Sequence, residues 1–159
     1  MDHDKQLRQQ LAKLIDWNEA HADFSSAVNG VPAKLRGHVP KGLPHSAWQL
    51  LEHIRIALWD IVEFSRGAGH KSPKWPEGYW PKNAAPATDE DWEQSLKAVR
   101  EYMEEMRKLI SNPKHDLFAP IPHGSGQTLL REALLAADHN AYHLGQLVLL
   151  RRALGEWKG

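Results

Sequence analysis

The stretch that decides the fold is Ala137-Asp138-His139-Asn140-Ala141-Tyr142-His143-Leu144-Gly145-Gln146-Leu147. It places two histidines four residues apart in a segment that is otherwise strongly helical. Because an α-helix turns about 100° per residue, side chains four positions apart lie one above the other on the same face. The imidazoles of His139 and His143 can therefore converge on one point from a single helix, which is a common way to provide two ligands to a metal ion.

The hydrophobic pattern on either side of this stretch predicts four long helices. Apolar residues recur at helical spacing in each of them, and no run alternates with period two for long enough to form a strand. The predicted helices span residues 2 to about 29, 46 to about 66, 88 to about 111 and 128 to about 154. Four amphipathic helices of similar length predict an all-α protein, a four-helix bundle. The length of 159 residues predicts that residues 1–159 form a single domain.

Long connections rich in glycine and proline follow the first, second and third helices. The connection over residues 67–87 is unusual, because it contains four prolines together with Trp75, Tyr79 and Trp80. A long loop without secondary structure of its own is usually functional or disordered. Two interpretations stay open for the Trp75–Trp80 segment. It forms a lid or wall over a pocket, or it is a structural crossover whose aromatic side chains seal the end of the bundle.

The composition excludes several classes of function. Lys+Arg and Asp+Glu are both 20, so no net positive charge favours nucleic acid or an anionic membrane. The absence of cysteine excludes disulfides, thiolate nucleophiles and zinc sites with cysteine ligands. No stretch approaches the roughly 20 apolar residues that span a bilayer, and the N-terminus has no apolar signal core. We therefore expect a soluble cytoplasmic protein with no nucleic acid and no membrane as partner.

A third histidine that faces inward comes from the second predicted helix. His53 lies at the edge of the apolar stripe of that helix, and its position allows either a hydrogen-bonded core residue or a metal ligand. Together with His139 and His143 it would give three neutral imidazoles, which leave a divalent ion with at least one open position. Such a set suits zinc, nickel, copper or iron(II). No glutamate stands three residues before any of these histidines, so the di-iron pattern of helical bundles is not favoured.

Two segments resemble helix motifs of the DinB-like metal-binding family. The first, similar to the second-helix motif, is Ser46-Ala47-Trp48-Gln49-Leu50-Leu51-Glu52-His53-Ile54. The second, similar to the fourth-helix motif, is His139-Asn140-Ala141-Tyr142-His143-Leu144-Gly145-Gln146-Leu147, followed by Leu150-Arg151-Arg152-Ala153-Leu154-Gly155. The segment from Trp75 to Pro81 is similar to one branch of the family. The resemblance covers nearly the whole chain in order and spacing.

The resemblance implies a four-helix bundle, often a homodimer, in which His53, His139 and His143 hold a divalent metal ion. Zinc or nickel is the expected ion, and iron or manganese is the alternative. Because members of the family include thiol-cofactor-dependent transferases and isomerases, the resemblance implies a metal-dependent S-transferase. Such an enzyme would use a low-molecular-weight thiol and a small-molecule substrate.

Three other interpretations of the function stay open. The protein is a metal-dependent hydrolase, with water in place of the thiol. It is a non-enzymatic metal-binding or small-molecule-binding protein that is linked to stress. Or it is a structural bundle whose inward histidines are merely hydrogen-bonded.

The sequence assigns no general acid or base. Asp60, Glu132 and His21 are candidates only because of the helix faces on which they lie or their proximity to the histidines. Gln49 and Gln146 either orient an imidazole or are plain polar residues at the edge of the core. Four tryptophans are candidates for a homodimer interface, namely Trp17, Trp59, Trp92 and Trp157.

Overall fold

The computed structural model describes residues 2–157, and this part of the chain is all-helical. Its α-helices are α1 (His3–Leu14), α2 (Phe24–Val28), α3 (Ala47–Arg66), α4 (Asp89–Ser111) and α5 (Leu129–Ala153). Short 3-10 turns lie at Ala33–Leu35 and Glu77–Tyr79. The described residues contain no β-strand, only an isolated bridge between Pro120 and Thr128. The predicted all-α class is therefore confirmed.

None of the helices within residues 2–157 is long and apolar enough to cross a bilayer.

The three longest helices begin within one residue of the predicted starts, with Ser46, Thr88 and Thr128 as their N-caps. The Ser46 hydroxyl accepts the backbone N–H of Gln49, and the Gln49 side chain accepts the backbone N–H of Ser46. Thr88 and Asp91 form the same reciprocal pair at the start of α4, and the hydroxyl of Thr128 caps α5. These caps satisfy N–H groups that have no partner inside the helix, so each helix start is fixed by local sequence.

The prediction of one helix over residues 2 to about 29 is wrong, because α1 and α2 are separate helices. The apolar spacing continues through the gap, but aspartates in the gap bind the backbone instead. The Asp16 carboxylate accepts the backbone N–H of Phe24, and the Asp23 carboxylate accepts that of Ser26 and caps α2. Short acidic side chains compete with the helix for backbone donors, so the helix ends early and a new one starts.

The core lies where α3 packs against α4 and α5, with α1 packed against the same two helices. Large apolar side chains that are fully shielded from water fill it, among them Ile54, Leu58, Met106 and Leu147. Each such side chain stabilises the packing by roughly 1.5–3 kcal/mol. The faces of α3 and α5 that carry these residues also carry the three inward histidines, so the core fixes how those histidines meet.

One tryptophan proposed for a dimer interface belongs to this core instead. Trp92 is only 2% exposed, and the guanidinium of Arg36 lies over its ring. It is therefore not available to a partner, and the suggestion that it supplies an interface is wrong. Trp17, Trp59 and Trp157 are partly exposed.

Candidate metal centre

Three histidines from two helices meet at one point of the core. His53 comes from α3, and His139 and His143 come from successive turns of α5. Each offers one ring nitrogen, and these nitrogens all lie within 4.8 Å of one another. The Nε2 atoms of His53 and His139 are 3.1 Å apart. His53 and His143 are buried and His139 is partly buried. The structure thus brings together all three residues that the sequence singled out.

Hydrogen bonds at Nδ1 orient two of these imidazoles. Nδ1 of His53 lies 2.9 Å from the carbonyl oxygen of Tyr79, and Nδ1 of His143 lies 3.0 Å from Oε1 of Gln146. Because these oxygens only accept, each Nδ1 carries a proton and each Nε2 keeps its lone pair. This is the tautomer of a histidine that binds a metal through Nε2. Gln146 therefore orients an imidazole, whereas Gln49 is used in the cap of α3.

Burial keeps all three imidazoles neutral. It lowers the pKa of His139 to about 3 and that of His143 to about 4, and repulsion between neighbouring imidazoles adds to the effect. Burial also lowers the pKa of His53. A histidine binds a metal ion only in its neutral form, so at pH 7 the three rings are ready to act as ligands.

The donor set fits a divalent transition-metal ion. Two nitrogens that each lie about 2.0–2.1 Å from one ion are roughly 3.0–3.4 Å apart, and the two Nε2 atoms have a separation of 3.1 Å. Nδ1 of His139 is buried without a hydrogen-bond partner in the protein, so the polar contact of this ring is at Nε2, beside His53. Three imidazole nitrogens suit zinc, nickel, copper or iron(II).

The indole of Trp80 forms one wall of this centre. Its ring stacks on the imidazole of His53, with the centroids 3.9 Å apart and the planes 2° from parallel. It also stacks on His45 at 4.0 Å. The segment predicted to be a lid or a crossover therefore reaches the histidines through Trp80. Trp75 in the same segment is 66% exposed and does not contribute to this wall.

Asp60, a candidate general acid or base, instead binds the loop that carries Trp80. Its carboxylate accepts the Tyr79 hydroxyl at 2.5 Å and Nε2–H of His70 at 2.6 Å. Burial and the adjacent carboxylate raise the pKa of Tyr79 to about 12, so its hydroxyl remains a donor at neutral pH. Both oxygens of Asp60 are thus engaged with the loop and not with the histidine cluster.

The other two candidates for proton transfer also have their polar contacts elsewhere. Glu132 lies on α5 two turns before His139, is buried, and pairs with Arg131 at 2.7 Å. Burial raises the pKa of Glu132. His21 is exposed in the gap between α1 and α2, and its Nδ1 bonds the carbonyl oxygen of Ala22. The described part of the chain therefore gives neither residue a contact with the three histidines.

The fold and the site define a helical protein with a three-histidine cluster that is able to hold a metal ion. A protein-family model described as the DinB superfamily matches residues 16–147, a range that includes all three histidines. The chain belongs to the DinB superfamily, and the resemblance seen in its sequence is confirmed. Comparison with curated proteins and with solved structures gives no match.

The metal-free protein should lose stability as the pH falls from 7 to 5. In the unfolded chain histidine takes up a proton near pH 6.5, whereas folded His139 and His143 stay neutral until the pH approaches about 3 and 4. The unfolded state therefore binds more protons in this window. The free energy of unfolding therefore decreases as the pH is lowered, by up to about 1.4 kcal/mol per pH unit for each histidine. Urea unfolding with a chelator present at pH 7, 6 and 5 measures this slope.

A His139→Gln variant is the control for this slope. Because it removes one of the imidazoles whose pKa is lowered by burial, its loss of stability between pH 7 and 5 should be smaller than that of the wild type by about 2 kcal/mol. An equal loss of stability in the wild type and in His139→Gln would contradict the conclusion that His139 is neutral in the folded protein.

Proposed function

We propose that the protein binds one divalent metal ion through His53, His139 and His143, and that the ion belongs to an enzyme site for small molecules. The observation that carries this proposal is the convergence of three ring nitrogens within 4.8 Å, from imidazoles whose burial keeps them neutral. Membership of the DinB superfamily supports it. Zinc or nickel is the expected ion, and iron or manganese is the alternative.

The residues around the site have separate tasks in this proposal. The Tyr79 carbonyl and the Gln146 side chain hold the Nδ1 protons of His53 and His143, so the Nε2 lone pairs stay available. Trp80 covers one face of His53 and excludes water there. The three imidazoles would hold the ion with at least one position free, and the chemistry it would supply there is a lowered pKa for a bound thiol or water. The likeness to thiol-dependent members of the family favours a low-molecular-weight thiol, and hence an S-transferase.

Metal binding should depend directly on His53, His139 and His143, and not on an exposed histidine away from the cluster. Wild-type protein that is incubated with zinc and dialysed should retain about one ion per chain by elemental analysis. His143→Ala should weaken zinc binding by more than about 100-fold, because a direct ligand matters more than the partners that orient it. His21→Ala, at an exposed histidine, is the matched control and should bind like the wild type. A wild-type protein that retains no ion, or a His143→Ala variant that binds equally well, would refute the proposal.

A small thiol should stabilise the metal-loaded protein if it occupies the proposed site. At a free concentration of about 100 times its Kd it would add about 2.7 kcal/mol, which raises the Tm by several degrees. His143→Ala should show no such rise. A turnover screen with the thiol and small electrophiles then tests for S-transfer. Hydrolysis of esters without any response to thiols would favour the hydrolase, and no response to either would favour a non-enzymatic binder.

We also propose that residues 1–159 form one domain, a four-helix bundle of α1, α3, α4 and α5, which works as a homodimer. Three large apolar side chains, Leu134, Tyr142 and Leu149, are exposed at spacings of eight and seven residues, which puts them on one side of α5. An exposed apolar surface of this kind is typical of an interface. The cytoplasmic location stays a prediction from the sequence.

The dimer is tested by sedimentation equilibrium. The wild type should have a mass of about 36 kDa, twice the 18.1 kDa of one chain. Tyr142→Lys together with Leu149→Lys should shift the protein towards the monomer, because charges would then be buried in the interface. Lys97→Glu, a charge change at an exposed residue of α4, should leave the mass unchanged. A wild-type mass of one chain at about 100 μM would contradict the dimer.

A further inference from the structure

A chain of contacts leads from Asp60 to the proposed metal ligand of the same helix. Asp60 lies seven residues after His53 on α3, about 10 Å further along the helix axis. Its two oxygens accept the Tyr79 hydroxyl at 2.5 Å and Nε2–H of His70 at 2.6 Å. The Tyr79 carbonyl in turn accepts Nδ1–H of His53 at 2.9 Å. The next residue, Trp80, stacks on the same imidazole.

We propose that Asp60 is a positioning residue for metal binding. By holding the loop through Tyr79 and His70, it sets the carbonyl and the indole that fix the tautomer and the orientation of the His53 ring. This role rests on the proposed function, since it matters to the extent that His53 is a metal ligand. It differs from the acid or base role considered for Asp60, because Asp60 acts through the loop and not on a substrate.

The two hydrogen bonds of Asp60 add to the stacking of Trp80 on His45 and His53, which also holds the middle of the loop. Between α3 and α4 its only regular element is the 3-10 turn at Glu77–Tyr79. The C-terminal part of the loop has a separate contact, in which the Ser46 hydroxyl donates a hydrogen bond to the carbonyl oxygen of Ala84.

The contacts of Asp60 are well placed for this task. The Asp60 and His70 side chains are only 14% and 9% exposed, and Trp59 packs edge-on against His70. Hydrogen bonds that are shielded from water in this way are stronger than those on an open surface. The two hydrogen bonds that Asp60 accepts, from Tyr79 and from His70, therefore help to hold the middle of the loop next to the His53 ring.

A through-space effect of charge has to be separated from positioning. Burial and, to a smaller extent, the Asp60 carboxyl raise the pKa of Glu132 on α5, so a change at Asp60 also has an electrostatic effect on the neighbouring helix. Asp60→Asn removes the carboxylate charge and replaces one of the two acceptor oxygens by an NH2 group, whereas Tyr79→Phe removes one hydrogen bond and leaves both carboxyl groups in place. Asp138 is exposed on α5 directly beside His139, so Asp138→Asn is a matched control for the loss of one charge near the site.

The test is zinc affinity, measured by competition with a chromophoric chelator in parallel with urea unfolding of each variant. We expect about 10–100-fold weaker binding for Asp60→Asn and a smaller loss of the same kind for Tyr79→Phe. The double variant should bind no more weakly than Asp60→Asn alone, because both changes break the same chain of contacts. Asp138→Asn should stay within about threefold of the wild type. If Asp60→Asn does not fold, Tyr79→Phe provides the decisive comparison.

A second readout needs no metal. In ¹⁵N NMR spectra of the metal-free protein, the His53 ring of the wild type should carry its proton at Nδ1, and Asp60→Asn should populate both tautomers. Zinc affinity of Asp60→Asn or Tyr79→Phe equal to that of Asp138→Asn would overturn the inference while leaving the metal site intact. So would an unchanged His53 tautomer in Asp60→Asn. A wild-type protein that binds no zinc would instead overturn the proposed function, and this role of Asp60 with it.

Discussion

The packing of α3 against α5 is the contact on which the site depends, because neither helix alone carries all three histidines. Helical spacing puts His139 and His143 on one face of α5, and the packing of the apolar core places His53 of α3 next to them. The result is three neutral imidazoles in a buried position, one of them with an orphaned Nδ1. The proposed cation would use the lone pairs that this arrangement brings together.

The two helices orient their histidines in different ways. On α5 the partner of His143 is Gln146, three residues further on, so local helix geometry supplies both the histidine and the residue that orients it. On α3 the partner of His53 is a carbonyl of Tyr79, far along the chain in the loop before α4. The orientation of His143 therefore follows from the helix itself, whereas that of His53 depends on how the loop is held. This difference is the basis of the positioning role proposed for Asp60, which lies two turns away on α3.

Most helix boundaries were predictable from the sequence because caps such as Ser46 and Thr88 act within four residues. The break between α1 and α2 was missed because apolar spacing continues through it, while the hydrogen bond of Asp16 to the backbone of Phe24 leaves no trace in that spacing. The three histidines were found from helical spacing and the family resemblance. The Tyr79 carbonyl was missed because every residue has one, so its role depends on tertiary structure alone.

The most direct test of a metal ion held by three histidines is a crystal structure of the zinc-loaded protein with anomalous diffraction at the zinc edge. A single strong anomalous peak should lie about 2.0–2.1 Å from one ring nitrogen each of His53, His139 and His143. The Nδ1 atoms of His53 and His143 should keep their contacts with Tyr79 and Gln146. A peak elsewhere on the protein, or none among these histidines at full zinc loading, would contradict the account.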